Sequence, residues 1–223
     1  MPIRKLITKF RRRPFPANLT ALRACRISYA QFGEDLFLTY LLGYERTQGT
    51  YLDIGCYHPV QFSNTYIFYQ RGWSGVTIDP NPAFAAEWKR YRPRDQFLNV
   101  AISKESGTTP YISNAIHPAM NRICADRNEA LGEHERMIEV PARPISSILQ
   151  SELKGRTIDL MSVDCEGYDI EILRQMDFHT WKPSVIAAED PGESENSEVV
   201  RYLHEVGYAC RARIGLTRIF QRV

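Results

Sequence analysis

Short apolar runs alternate with amphipathic stretches along most of the chain, and several of the runs end on an acid. Residues 28–42 predict a loop entering an amphipathic helix, with Leu36, Leu38, Tyr40, Leu41 and Leu42 on its apolar face and Gly43 as its stop. A first strand is expected at 51–55, a helix over 63–71 ending at Gly72, and a second strand at 75–79. Asn81-Pro82 opens the next helix, with proline in its first turn, and Pro93 closes it. Strand three is placed at 96–102. Residues 103–139 read as polar and irregular, too long for a plain connection, and suggest a lid or substrate-facing insertion. An extended segment at 138–145 and a short helix at 146–153 follow. Strand four covers 158–163 and ends at Asp164-Cys-Glu-Gly; after a helix over 169–176, strand five covers 184–188 and ends at Glu189-Asp190. A helix near 195–206 precedes two extended runs, 208–214 and 217–222, close enough to form a hairpin. The expected fold is α/β: a doubly wound, mostly parallel sheet with a terminal antiparallel hairpin.

Length and charge narrow the picture. At 223 residues the chain can build one full core but is short for two. Its five cysteines are scattered and never form Cys-x-x-Cys, which argues for a reducing, cytoplasmic setting and against a thiolate zinc site. No apolar stretch approaches the ~20 residues that span a bilayer. Residues 1–33 hold eight Lys and Arg and no acid, leaving 20 basic against 26 acidic residues in the remainder. Residues 1–27 therefore read as a basic leader, either solvated and disordered or visiting the anionic inner face of a membrane through Ile3, Leu6, Ile7 and Phe10. Residues 28–223 form the expected single domain. The acidic body and the lack of an Asn/Asp-Pro-Pro-Tyr/Phe motif exclude nucleic acid as a partner.

The chemistry is expected at the strand ends. Asp53 ends the first strand, Gly55 permits a sharp turn, and Asp79 follows 26 residues after Asp53, about one strand–helix–strand unit. Such spacing suits a nucleoside cofactor across the strand ends, with Asp79 accepting from the ribose hydroxyls. A nicotinamide fold would carry Gly-x-Gly-x-x-G; here an acid precedes a lone glycine. An acid at Asp53 can face the ammonium of a bound amino acid, which points to S-adenosylmethionine.

Read together, Ser28-Tyr-Ala-Gln-Phe-Gly-Glu-Asp35, Leu52-Asp-Ile-Gly-Cys-Tyr-His-Pro59, the run Phe62–Gly75, Ile78-Asp-Pro-Asn-Pro82 and Val163-Asp-Cys-Glu-Gly167 resemble the FkbM-type S-adenosylmethionine-dependent methyltransferases. The likeness is to their bacterial polysaccharide-associated branch. It implies a class I methyltransferase, Rossmann-like, that O-methylates a sugar hydroxyl of a glycan or glycosylated metabolite. The implied cofactor set is Gln31, Gly33 and Glu34 over the methionine end, Asp53, Gly55, Cys56 and Tyr57 in the first turn, Asp79 and Pro80, Ala101 and Ile102 beside adenine, and Asp164. His58 is the first choice of base, unless it is a structural imidazole of its turn; His117 is a second. Asp164 and Glu166 are the other catalytic candidates. Asp164, Glu189 and Asp190 resemble the strand-end acids that hold Mg²⁺ in catechol and macrolide-sugar O-methyltransferases; the other reading has Asp164 and Glu166 touching substrate or cofactor without metal. Two further functions stay open: a catalytically silent methyltransferase fold serving as a binding subunit in glycan assembly, and a Rossmann oxidoreductase. The oligomeric state is not legible.

Overall fold

Alternation along the strands builds two apolar layers, one on each face of a central sheet. In β1 (Thr50–Ile54), Leu52 and Ile54 enter one layer while Tyr51 enters the other. In β9 (Val185–Glu189), Ile186 and Ala188 face the first layer, Val185 and Ala187 the second. Side chains two apart share a face, so a strand covered on both sides must be apolar throughout. The computed structural model describes residues 23–124, 126–192 and 194–223; the expectations for residues 1–22 of the leader lie outside these.

The sheet has seven strands in the order β10-β11-β9-β8-β1-β2-β3. The remaining members are β2 (Ser74–Ile78), β3 (Gln96–Leu98), β8 (Leu160–Val163), β10 (Tyr208–Ile214) and β11 (Thr217–Arg222). Six strands run in one direction and β11 alone is reversed, pairing antiparallel to both β9 and β10. Helix α1 (Glu34–Leu42) contributes Leu38 and Leu42 to the layer containing Tyr51, Phe68 and Trp73. On the other face, α4 (Ile145–Ile148), α5 (Asp169–Gln175) and α6 (Glu198–Glu205) supply Ile145, Ile148, Ile172, Leu173 and Leu203. Two short helices, α2 (Tyr66–Gln70) and α3 (Ala85–Tyr91), complete the parallel crossovers.

The insertion departs from expectation. Residues 103–139 are not irregular: they build most of a second, four-stranded sheet in the order β4-β7-β5-β6. Its strands are β4 (Ala101–Ile102), β5 (Gly107–Asn114), β6 (Arg122–Ile123) and β7 (Glu135–Arg143). The expected third strand at 96–102 is therefore two strands in two sheets, broken at Asn99, whose side-chain amide donates to the Asp79 carbonyl at 2.8 Å. Its polarity hid the β structure, since β5 and β7 cover only the small apolar cluster of Ala101, Tyr111, Val140 and Ala142.

Candidate functional site

Register explains which acids meet. Ile54 pairs with Ile78 on one side and Val163 on the other, and Val163 pairs with Ala188. One residue further on, Asp79, Gly55, Asp164 and Glu189 form a single row along the carboxyl ends of four strands. Between β1 and β8 the strand order reverses, the position at which open parallel sheets bind ligands. A cavity of about 250 Å³ opens above this row, and all four residues line it.

Gly55 makes the row possible. It has φ +74°, and a Cβ there would lie 1.7 Å from the Asp164 carbonyl oxygen. Its N–H donates to the Ile78 carbonyl at 2.9 Å, turning the chain across β2. The following loop delivers the Tyr57 N–H to Asp79 Oδ2 at 2.8 Å, and the Asn81 N–H donates to Asp79 Oδ1 at 2.8 Å. Both carboxylate oxygens are thus oriented. Burial outweighs these hydrogen bonds and raises the Asp79 pKa to about 6, leaving it ionised at neutral pH.

Beside Asp79, Pro80, Ala101, Ile102 and Val100 form an apolar wall. At the other end lie Asp164, Glu166 and Glu189. Loss of solvent in the crowded concavity, and then the like charge of Glu189, Asp169 and Glu166, hold Asp164 well above the usual carboxylate range, although it remains accessible from the cavity. Desolvation, with Asp169 and Glu166 behind it, raises Glu189 to about 7. Glu166 is pushed up by desolvation and down by Arg122 opposite it. Arg122, on β6, is itself gripped by Glu135 at 2.8 Å and Glu129 at 2.7 Å.

Of the residues singled out in the sequence, Gln31, Gly55, Tyr57, Asp79, Pro80, Ala101, Ile102, Asp164, Glu166 and Glu189 come together around the cavity. Gly33, Glu34 and Cys56 do not. Gly33 caps α1 with φ 93°, buried Glu34 accepts from the Phe32 N–H at 2.8 Å, and Cys56 is buried beneath the turn.

Asp53 also misses the cavity. It pairs with Thr77, two positions deeper than Asp79, and its carboxylate accepts from the Thr65 hydroxyl. Thr65 in turn accepts from buried Arg92 at 2.9 Å, and Arg92 Nε donates to Asp95 at 2.6 Å. Asp53 thus belongs to a buried structural network and cannot face a bound ammonium directly.

His58 is not placed as a base. Its Nδ1 accepts the N–H groups of Val60 at 3.1 Å and Gln61 at 2.9 Å, and Nε2 lies 2.8 Å from Glu87. The imidazole holds its own turn, away from the cavity lining. His117 sits on the exposed surface of the insertion.

The Mg²⁺ triad is not assembled either. Asp190 turns to the opposite side of β9 from Glu189, where its Oδ2 accepts from Arg218 Nε at 2.6 Å and from Ser197. Among the described residues no group of three His, Cys, Asp or Glu side chains could hold a metal ion. With Asp190 committed to Arg218 and Ser197, the donor set does not fit Mg²⁺.

Sequence reasoning overlooked Phe62, Tyr111 and the run Pro118–Ile123, which wall the cavity from the insertion side. The periodic signal for that sheet is the alternation Ile138-Glu-Val-Pro-Ala142 on β7, which pairs with Gly107–Tyr111 of β5. Among the described residues no helix is long and apolar enough to cross a membrane.

Among solved structures, the chain is similar to a TehB-like SAM-dependent methyltransferase from Corynebacterium glutamicum, with 10% identity, coverage of 99% of this chain and 97% of that one, and TM-score 0.44. It is also similar to the Burkholderia thailandensis 1,6-didemethyltoxoflavin-N1-methyltransferase, whose structure holds 1,6-didemethyltoxoflavin and S-adenosylhomocysteine. Here the identity is 11%, the coverage 85% of this chain and 76% of that one, and the TM-score 0.43. None of the curated proteins matches it. Residues 53–210 match the methyltransferase FkbM domain, a span that contains Gly55, Asp79, Asp164 and Glu189, and the chain accordingly belongs to the FkbM methyltransferase family.

Proposed function

We propose that the protein is an S-adenosylmethionine-dependent O-methyltransferase acting on a sugar hydroxyl of a glycan or glycosylated metabolite. The observation that carries this reading is the Asp79–Gly55–Asp164–Glu189 row beneath one cavity. Asp79, with both oxygens pre-oriented, is set to accept from the two ribose hydroxyls, and Pro80, Ala101 and Ile102 offer an apolar slot for adenine. Asp164, at the centre of the row, gives the amino-acid end of the cofactor the carboxylate that Asp53 does not provide. When bound, the sulfonium supplies an activated methyl group.

What remains for the protein is positioning and proton removal. An aliphatic hydroxyl is protonated at neutral pH, so a nearby base accelerates its attack. With His58 committed to its turn, Glu189 is the best-placed base: it faces the cavity and has a pKa of about 7. Glu189 would accept the hydroxyl proton while a bound S-adenosylmethionine supplied the methyl group. Asp164 and Glu166 hold the acceptor and steady the cationic cofactor beside it.

The glycan setting, a cytoplasmic place of action and contact of the basic leader with anionic membrane belong to the same reading and draw on the sequence. Incubation with methyl-deuterated S-adenosylmethionine and a panel of neutral glycosides, followed by mass spectrometry, tests it. Transfer of the labelled methyl to a glycoside oxygen is expected. Cofactor binding with no transfer to any acceptor would instead favour a silent binding subunit.

A further inference from the structure

The mouth of the cavity carries apolar side chains that no core claims. Phe62, Met120 and Leu216 line it while 57%, 54% and 42% exposed. Phe32, also exposed, extends this rim: its ring packs so closely on Gly215 that a Cβ there would come within 2.2 Å of it. These side chains come from separate loops: the approach to α1, the turn after β1, the insertion, and the β10–β11 turn. Single exposed apolar residues are ordinary, but a rim gathered from four segments around a cavity marks a binding surface.

Backbone strain points to the same place. The described non-glycine residues with positive φ are Tyr57 (46°), Phe62 (57°), Lys154 (49°) and Glu166 (50°), and all but Lys154 line this cavity. An aromatic residue held left-handed costs about 1–3 kcal/mol and persists where the surroundings enforce it for a purpose. Phe62 buries little in return, yet its ring is held nearly parallel to that of Tyr57, 6.3 Å between centroids and 20° between planes. The floor beneath is acidic. Asp79, Asp164, Glu166 and Glu189 face Arg122, whose charge is already met by Glu129 and Glu135. Among the described residues that line the cavity, an anionic acceptor would meet carboxylates with no unpaired cation to offset them.

We propose that the acceptor is an uncharged sugar carried on an apolar group. The apolar group sits on the collar of Phe62, Met120, Leu216 and Phe32, and the sugar hydroxyl reaches the Asp164–Glu189 floor. This rests on the methyl-transfer reading of the cavity. A free hydrophilic sugar would leave the collar wet, and a uronate or sugar phosphate would be repelled from the floor.

The test is calorimetric titration of the full chain, saturated with S-adenosylhomocysteine. The probes are 4-nitrophenyl glycosides of glucose, galactose and mannose, the matched methyl glycosides, and the 4-nitrophenyl uronides of glucose and galactose. At least one neutral nitrophenyl glycoside should bind about tenfold or more tightly than its methyl counterpart and than either uronide. Phe62→Asn, which suits a left-handed backbone while removing the ring, should cut that advantage to about threefold or less, and Met120→Gln should reduce it too. Equal binding of methyl and nitrophenyl glycosides, preference for a uronide, or no binding by any of them would overturn the proposal. So would self-association or leader binding that buries the collar and excludes the probes. The S-adenosylhomocysteine titration separates the two levels: if it fails, the methyl-transfer reading falls; if it succeeds while the glycosides behave otherwise, only this inference does.

Discussion

The Tyr57 N–H donates to Asp79 Oδ2 across 2.8 Å, tying the turn after β1 to the acid that ends β2. That bond fixes the carboxylate before any ligand arrives and lowers the cost of ordering it on binding. It also couples Asp79 to the left-handed backbone of Tyr57, so the strained turn and Asp79 are one unit.

His58 tests whether this turn is structural. His58→Ala leaves the Val60 and Gln61 N–H groups without their acceptor and should cost about 1–3 kcal/mol, read from chemical denaturation. His58→Asn keeps an acceptor near the position of Nδ1 and should recover much of that stability together with normal turnover. A folded His58→Asn protein with turnover reduced a hundredfold or more would return the imidazole to the role of base.

Asp190 should behave as a structural acid. Its partner Arg218 is fully buried, and Asp190→Ala leaves only exposed Glu195, 3.9 Å away, to offset that charge, so the substitution should cost about 3–5 kcal/mol. Turnover by the parent should continue unchanged in excess chelator. Loss of turnover on chelation, restored by Mg²⁺, would contradict the geometry described for β9.

Two strand-end acids, together with Asp169 at the start of α5, predict an inverted pH dependence of stability. Asp79 and Asp169 are raised from 3.8 to about 6, and Glu189 from 4.5 to about 7. Between its unfolded and folded values each carboxyl holds more proton in the native state, so stability falls as pH rises through that range. The ligand-free protein should melt higher at about pH 5.5 than at about pH 7.5, and Glu189→Gln should flatten the upper part of the slope. A melting temperature that climbs steadily across this interval would refute the assignment.

Much of this architecture was legible because local signals agreed. The run 208–214 and 217–222 matches β10 and β11, where apolar alternation flanks a glycine turn. Strand ends carrying Asp79, Asp164 and Glu189 were readable for the same reason: apolar runs stop at charge. What escaped notice depends on contacts distant in sequence. Nothing near Arg92 announces that it would be buried against Thr65 and Asp95 and would draw Asp53 into its network. Nor does Asp190 itself announce that it would be drawn to buried Arg218, a contact made across 28 positions of the chain. The second sheet stayed hidden because β5 and β7 bury so little apolar surface that their alternation is weak.

The central claim is that Asp79 anchors S-adenosylmethionine at the β1–β2 strand ends, and calorimetric titration of S-adenosylhomocysteine into the parent and into Asp79→Asn tests it most directly. Circular dichroism first establishes that both are folded, since the amide must face one of the two backbone N–H groups with its own donor. The parent should bind at micromolar affinity. The variant, deprived of a charged acceptor worth about 1.5–3 kcal/mol, should bind roughly ten- to a hundredfold more weakly. Equal affinity in the two proteins, or no binding by the folded parent, would contradict the account.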